Sequence, residues 1–71
     1  MQPYEDWAIL FDSQRLADAI FGDLENSGFM GAISPGPCGI WCRNREVTRQ
    51  VAKILKNEFK VKFQFNVNPY E

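Results

Sequence analysis

Two cysteines, Cys38 and Cys42, are the most reactive side chains in this sequence, which contains no histidine. Without histidine the chain lacks the commonest general base and the usual activator of a serine or cysteine nucleophile. Two thiols also fall short of the four ligands of a structural zinc site. No glycine-rich phosphate-binding motif is present. The residue types therefore predict no catalytic residue, no metal site and no cofactor.

Cys38 lies in the most distinctive segment of the sequence, Pro35-Gly36-Pro37-Cys38-Gly39. A thiol on a rigid turn, beside a glycine that lets another backbone approach, can act as a nucleophile or carry a persulfide. A thiolate needs a nearby positive charge, and Arg43 is the nearest candidate in sequence. The same segment is also typical of a tight connection between two strands, with Cys38 as a small apolar filler. Both interpretations remain open at this point.

Cys42 follows Trp41 in a predicted strand and is expected to be a buried core residue. Four positions along a strand separate the Cα atoms of the two cysteines by about 13 Å, whereas a disulfide needs less than about 7 Å. Both are therefore predicted to be reduced thiols. The sequence shows neither a secretory signal nor a long apolar run, so we expect a cytoplasmic location and no membrane partner.

A stripe of cations forms the second candidate site. Its members project within about 80° of one another on the predicted second helix, at 100° per residue. A solvated face explains this stripe, and so does an anionic partner such as a nucleic acid, an acidic protein surface or another copy of the chain. A pI near 5.3 disfavours nucleic acid, because the acidic half of the chain would repel phosphates. The members of the stripe are Arg45, Arg49, Lys53, Lys56 and Lys60.

Charge is unevenly distributed between the two halves of the chain. Residues 1–25 contain six acidic residues and one base, Arg15, whereas residues 43–62 contain seven bases and two acids, Glu46 and Glu58. This asymmetry is compatible with a protein partner or with self-association as a homodimer.

The periodicity of apolar residues predicts the elements that position these side chains. A strand over residues 7–11 precedes a helix over 13–27, and a strand over 29–33 precedes a turn over 34–37. A further strand starts near Cys38 or Gly39, a second helix follows Asn44, and residues 61–67 alternate as a last strand. The order βαββαβ predicts one α+β domain, residues 1–71. We expect a ferredoxin-like sandwich, with a four-stranded antiparallel sheet and two helices on one face.

The open face of that sheet is another candidate surface. If the apolar residues of the last strand face the helices, then Lys62, Gln64 and Asn66 line the other side with Trp41. An aromatic ring on an open sheet is also found in single-strand RNA readers, but residues 39–43 lack the usual aromatic spacing of those strands. A partner-protein or dimer surface that includes Trp41 and Arg43 is favoured.

Several short motifs of the first half resemble one family. They are Phe11-Asp12-Ser13, Ser27-Gly28, Pro35-x-Pro37 followed by Cys38-Gly39, and a strand ending in Arg43. Over residues 9–43 the chain resembles the small selenium/sulfur carrier-like domains. The resemblance implies that Cys38 is the carrier residue and Gly39 its neighbour, although Pro37 directly precedes Cys38 here, where the family has a longer polar segment.

The residues alone favour a small non-enzymatic protein-interaction module that acts through its open sheet face or its basic second helix. The alternative is a thiol-based sulfur or selenium carrier that uses Cys38. A single-stranded nucleic-acid binder is the third hypothesis, and it predicts that reversing the charges of Arg49 and Lys53 abolishes binding.

Overall fold

Four short strands form one antiparallel sheet in the computed structural model, which describes residues 7–71. The strands are β1 (Ala8–Leu10), β2 (Ile33–Gly36), β3 (Gly39–Cys42) and β4 (Gln64–Phe65), and their spatial order is β2-β3-β1-β4. Ile9 of β1 pairs with Ile40 of β3 on one side and with Phe65 of β4 on the other. Two acidic residues of the predicted acidic half, Glu5 and Asp6, lie outside the described residues. The prediction of an α+β domain with two helices and a four-stranded antiparallel sheet is confirmed.

Both helices begin where the sequence predicts, and each start is capped by a side chain. Helix α1 (Gln14–Leu24) begins after Ser13, whose Oγ accepts a hydrogen bond from the Leu16 N–H at 3.1 Å. Helix α2 (Arg45–Ile54) begins after Asn44, whose Oδ1 accepts from the Val47 N–H at 2.9 Å. Neither they nor any other helix within residues 7–71 has the length and apolar character needed to cross a membrane.

Each helix continues into a wider, π-helical turn. The turn Glu25–Phe29 follows α1 and contains Gly28 at φ 105°, a left-handed conformation that glycine adopts without strain. The turn Leu55–Phe59 follows α2 and ends at Lys60, which is itself left-handed at φ 55°. The predicted stop near Gly28 is therefore close to the observed end of the first helical segment.

The core lies between one face of the sheet and the two helices. Ile9 and Ile40, which are paired across β1 and β3, are both fully buried. Val47 and Val51 of α2 and Leu55 of the turn after it have the spacing of one helix face and are all buried, as expected for the helix that the apolar periodicity predicts after Asn44. The other buried residues of this cluster are Phe11, Ala17, Ile20, Leu24, Ile33 and Cys42.

The second strand is displaced from its predicted position. β2 covers Ile33–Gly36, not residues 29–33, and Pro35 pairs with Ile40 inside the sheet. The prediction of a turn over 34–37 is therefore wrong. Pro35 is tolerated in β2 because β2 is an edge strand, where the missing proline N–H removes no hydrogen bond to a neighbouring strand. The turn consists of Pro37 and Cys38, with Cys38 left-handed at φ 52°.

The last strand is shorter than predicted. Only Gln64 and Phe65 pair with β1, although burial still alternates along residues 61–66 as the sequence predicts. The reason is that its partner β1 ends at Leu10, opposite Gln64. Within residues 7–71, no strand therefore lies beside residues 61–63.

Candidate functional site

A groove runs along the flank of α2 and the residues of β4 and its approach. One part of it has a volume of about 400 Å³ and is bordered by Arg49, Lys53 and Tyr70. The other part, of about 740 Å³, opens toward the β2–β3 turn and Cys38. Lys56 and Phe63 line both parts, so the two adjoin. We call this surface the α2–β4 groove.

Its floor is a row of aromatic rings in edge-to-face contact. The centroids of Phe63 and Phe65 are 5.3 Å apart with planes at 76°. Those of Phe65 and Tyr70 are 6.1 Å apart at 72°. Such contacts hold rings in a defined orientation. The row runs from the half-buried phenylalanines to the exposed Tyr70, and therefore offers apolar surface at a fixed position.

The cations of the predicted stripe divide into two groups. The Arg45 guanidinium lies 5.3 Å from the centroid of the Trp7 ring. Arg49 donates from Nε to the Pro69 carbonyl at 2.7 Å, and its guanidinium lies 5.6 Å from the Tyr70 centroid. Both arginines thus interact with aromatic rings of their own chain, in contacts worth about 0.5–1 kcal/mol at exposed sites.

The lysines of the stripe behave differently. Lys53 and Lys56 are exposed beside the aromatic floor, and neither has an ion-pair or hydrogen-bond partner among residues 7–71. Lys62, from the approach to β4, adds a further exposed positive charge to the larger part of the groove. One acidic residue also lines each part, Glu46 beside Tyr70 and Asp12 beside Cys38, so positive charges outnumber negative ones in both. The groove therefore combines fixed aromatic surface with an excess of positive charge that is available to a ligand.

Other predicted site residues lie elsewhere. Trp41 lies on the sheet face opposite the core and covers Gly36, where a methyl group would overlap its indole ring. Arg43 is exposed after β3, and its N–H donates to the Ala32 carbonyl at 2.9 Å. Lys60 is exposed at the end of the second helical segment and does not border the groove. The structure thus brings together Arg49, Lys53 and Lys56, and separates them from Trp41, Arg43, Arg45 and Lys60.

Three aromatic residues of the groove were not singled out from the sequence as binding residues. The alternation of residues 61–67 indicates that Phe63 and Phe65 face the helices, but not that they border the cations of α2. Tyr70 reaches the groove because the chain reverses near Pro69, which is buried. The dipeptide Asn68-Pro69 is a turn signal, and the Tyr70 N–H donates to Asn68 Oδ1 at 2.9 Å, but the pattern does not indicate which surface Tyr70 reaches after the turn.

The two thiols occupy opposite environments. Cys38 is exposed at one end of the groove, and its N–H donates to Gln14 Oε1 at 2.8 Å. Cys42 is buried, as predicted, and burial raises the pKa of its thiol to about 11, against the opposing effect of a hydrogen bond with Thr48. Cys38 is therefore the chemically accessible thiol. Residues 7–71 contain no group of three or more side chains suited to holding a metal ion.

Comparison with known proteins gives no relative for this chain: no family model, curated protein or solved structure matches it.

Proposed function

We propose that this protein is a non-enzymatic interaction module that binds an acidic protein segment in the α2–β4 groove. The observation that carries the proposal is the position of Lys53 and Lys56, which are exposed, have no ion-pair or hydrogen-bond partner within residues 7–71, and are adjacent to a fixed aromatic floor. Acidic side chains would neutralise these charges, while apolar atoms of the same partner would cover Phe63. The second contribution is needed because an exposed ion pair alone adds at most about 1 kcal/mol.

An acidic protein segment suits this groove better than a nucleic acid does. Bases bind single-strand readers by stacking flat on exposed rings. Here the phenylalanines are half-buried and meet edge-to-face, and the Arg49 guanidinium already lies over Tyr70. The chain as a whole carries a net charge of −1, which gives no general attraction to phosphates.

Charge reversal within the groove, compared with charge reversal outside it, tests the proposal. The variant Lys53→Glu/Lys56→Glu is compared with Arg15→Glu/Arg43→Glu, which changes net charge equally at exposed positions that do not border the groove. The probe is a fluorescent peptide of glutamate and valine, followed by anisotropy at low salt and again at about 150 mM salt. We expect the groove variant to lose at least about tenfold in affinity, and the control to stay within about twofold of the unmodified protein. Equal losses in both variants would show that only the overall charge attracts the peptide.

We also propose that the arrangement of elements is ferredoxin-like. Two features support this. β3 lies between β1 and β2, and β1 lies between β3 and β4, so that the two strand–helix–strand units interleave. Side chains from both helices join one core with one face of the sheet. Such an arrangement leaves β4 at an edge, beside the flank of α2.

A sulfur or selenium carrier is the second candidate function, and the exposure of Cys38 near Lys56 and Lys62 favours it. In the transfer step the Cys38 thiolate attacks the outer sulfur of a donor persulfide. A new S–S bond forms on Cys38 while the donor S–S bond breaks, and the donor cysteine leaves as a thiolate, without net oxidation.

Faster alkylation of Cys38 than of Cys42 does not test this candidate, because burial alone predicts that order. The test is persulfide transfer from glutathione persulfide, followed by mass spectrometry of the folded protein and of the urea-unfolded chain. A carrier should gain one sulfur atom on Cys38 at least about tenfold faster when folded. Equal rates in the two states would count against a carrier function.

A further inference from the structure

The two edges of the sheet differ in their ability to accept another strand. The order β2-β3-β1-β4 leaves β2 and β4 at the edges. β2 contains Pro35 and is followed by Pro37, and neither proline has an N–H to donate. Residues 60–66 contain no proline. The β4 edge is therefore the side of the sheet on which backbone pairing can continue.

Backbone donors next to β4 are unpaired. The N–H groups of Lys62 and Phe63 have no hydrogen-bond partner within residues 7–71, whereas that of Val61 donates to the Leu55 carbonyl at 3.4 Å. Both unpaired groups belong to residues that line the larger part of the groove. An extended ligand in the groove would thus find backbone donors as well as charges.

The C-terminal residues limit the length of the accessible edge. The Pro69 carbonyl is held by Arg49, and the Tyr70 ring contacts Phe65. At the other end, Lys60 is left-handed, and its N–H and that of Val61 both donate to the Leu55 carbonyl. The accessible part of the edge consequently runs over residues 62–64.

The charges near this edge select against a second copy of the chain. Lys62 is exposed on this edge and lines the groove together with Lys56, and Lys60 is exposed just before it in the chain. Pairing of two identical edges would bring these lysines together, and like charges on neighbouring strands are destabilising. Lysine on an edge strand is a recognised protection against self-association. An acidic strand would instead be attracted electrostatically by the same lysines.

Arg49 and Lys53 on α2, and Lys56 in the turn after it, are spaced similarly to alternate side chains of an extended ligand. Along a helix, Arg49 and Lys53 are separated by about 6 Å, and Lys53 and Lys56 by about 4.5 Å. Alternate side chains of a β-strand, which project to the same side, are about 6.6 Å apart. Acidic residues at every second position can therefore approach the cations of α2 in turn, while the intervening side chains face away from the helix.

From these observations, and resting on the function proposed above, we infer that the partner is an extended acidic segment of another protein. It adds a strand to the β4 edge, with acidic residues at alternate positions facing α2. Its backbone pairs with residues 62–64, and peptide recognition by strand addition derives affinity from such main-chain hydrogen bonds.

Peptides that differ only in pattern or in backbone donors test the inference on the full chain. The first probe alternates glutamate and valine, and the second has the same composition with glutamates and valines in separate blocks. Two further probes carry N-methyl groups at one or the other alternating set of residues of the first. Amide hydrogen exchange at Lys62 and Phe63 is measured by NMR with and without the first probe.

Strand addition predicts that the alternating peptide binds at least about tenfold more tightly than the block peptide. It also predicts that one N-methylated set abolishes binding while the other does not, because alternate residues of a strand face opposite sides of it. Exchange at Lys62 or Phe63 should slow on binding. Equal affinity of all four peptides, with unchanged exchange, would overturn strand addition and leave the proposed function standing.

Two other outcomes would overturn the inference in different ways. Absence of binding by every acidic peptide at low salt would remove the proposed function together with it. Protection of Lys62 and Phe63 that rises with protein concentration, without peptide, would identify a second copy of the chain as the occupant.

Discussion

The contact between Gly36 and Trp41 gives a quantitative test of the open sheet face. A methyl group at Gly36 would overlap Cζ3 and Cε3 of Trp41 and would lie 2.8 Å from Cη2. Carbon atoms in normal contact are about 3.5–4.0 Å apart. In the variant Gly36→Ala the indole ring must therefore move by on the order of 1 Å or leave the sheet.

The expected cost follows from this overlap. Overpacking of one methyl group typically costs about 1–3 kcal/mol. When Trp41 is replaced by alanine the obstacle is gone, and Gly36→Ala should then be neutral or stabilising by about 0.5–1 kcal/mol, because glycine weakens a strand relative to alanine. The two substitutions should therefore be coupled by at least about 1 kcal/mol.

Urea unfolding of four proteins measures the coupling: the unmodified chain, Gly36→Ala, Trp41→Ala and the double variant. Far-ultraviolet circular dichroism is the appropriate signal, since tryptophan fluorescence itself changes with Trp41. If Gly36→Ala costs the same free energy in both backgrounds, the ring does not rest on Gly36 and the reasoning is refuted.

Three further predictions concern stability. Gly22→Ala should raise the free energy of unfolding by about 0.5–1 kcal/mol, because open space surrounds this helical position; a loss in urea unfolding would contradict this. Asn44→Ala should lower it by about 1 kcal/mol by removing the cap of the Val47 N–H, whereas Asn44→Asp should retain most of the stability, and equal losses would argue against the cap. Burial raises the pKa of Cys42 from 9.0 to about 11, so the neutral thiol stabilises the fold fully below about pH 9, and this contribution is lost as the pH rises toward 11. Relative to Cys42→Ala, the unmodified chain should lose roughly 2–3 kcal/mol across that interval, and parallel pH profiles would contradict it.

The second helix and both helix starts could be predicted because their determinants are local. The spacing of Val47, Val51 and Leu55 reports a buried helical stripe directly. Ser13 and Asn44 satisfy helix N–H groups within three residues of themselves, so their roles depend on no distant part of the chain.

The ends of two strands depend on their neighbours, and the sequence does not show where those neighbours stop. Pro35 predicts a turn when considered alone, yet it is accommodated in β2 because that strand has a partner on one side only. The alternation of residues 61–67 predicts a long strand, but pairing ends at Gln64 because β1 ends at Leu10. Strand length was thus decided by β1, about fifty residues earlier in the chain.

The candidate site, like the fold, could be predicted from the sequence only where its determinants are local. Lys53 and Lys56 could be assigned to one helix face from their spacing alone. Their aromatic neighbours come from the far end of the chain, and Asn68-Pro69 signals a turn without indicating that it brings Tyr70 into contact with Phe65. The difference between the arginines and these lysines could not be predicted either, because it depends on the distant rings that the guanidiniums of Arg45 and Arg49 cover.

Both proposed functions involve Lys56, but each also involves a residue that the other does not use, so single substitutions can distinguish them. Lys56 lines both parts of the groove, Lys53 only the part beside Tyr70, and Cys38 only the part beside the β2–β3 turn. Lys53→Glu should therefore weaken peptide binding without changing persulfide transfer, and Cys38→Ser should remove transfer without changing binding. Lys56→Glu is expected to impair both, because its charge is close to the peptide path and to the thiol. If Lys53→Glu and Lys56→Glu affect both measurements equally, the groove acts through its overall charge, and neither function depends on the arrangement of its parts.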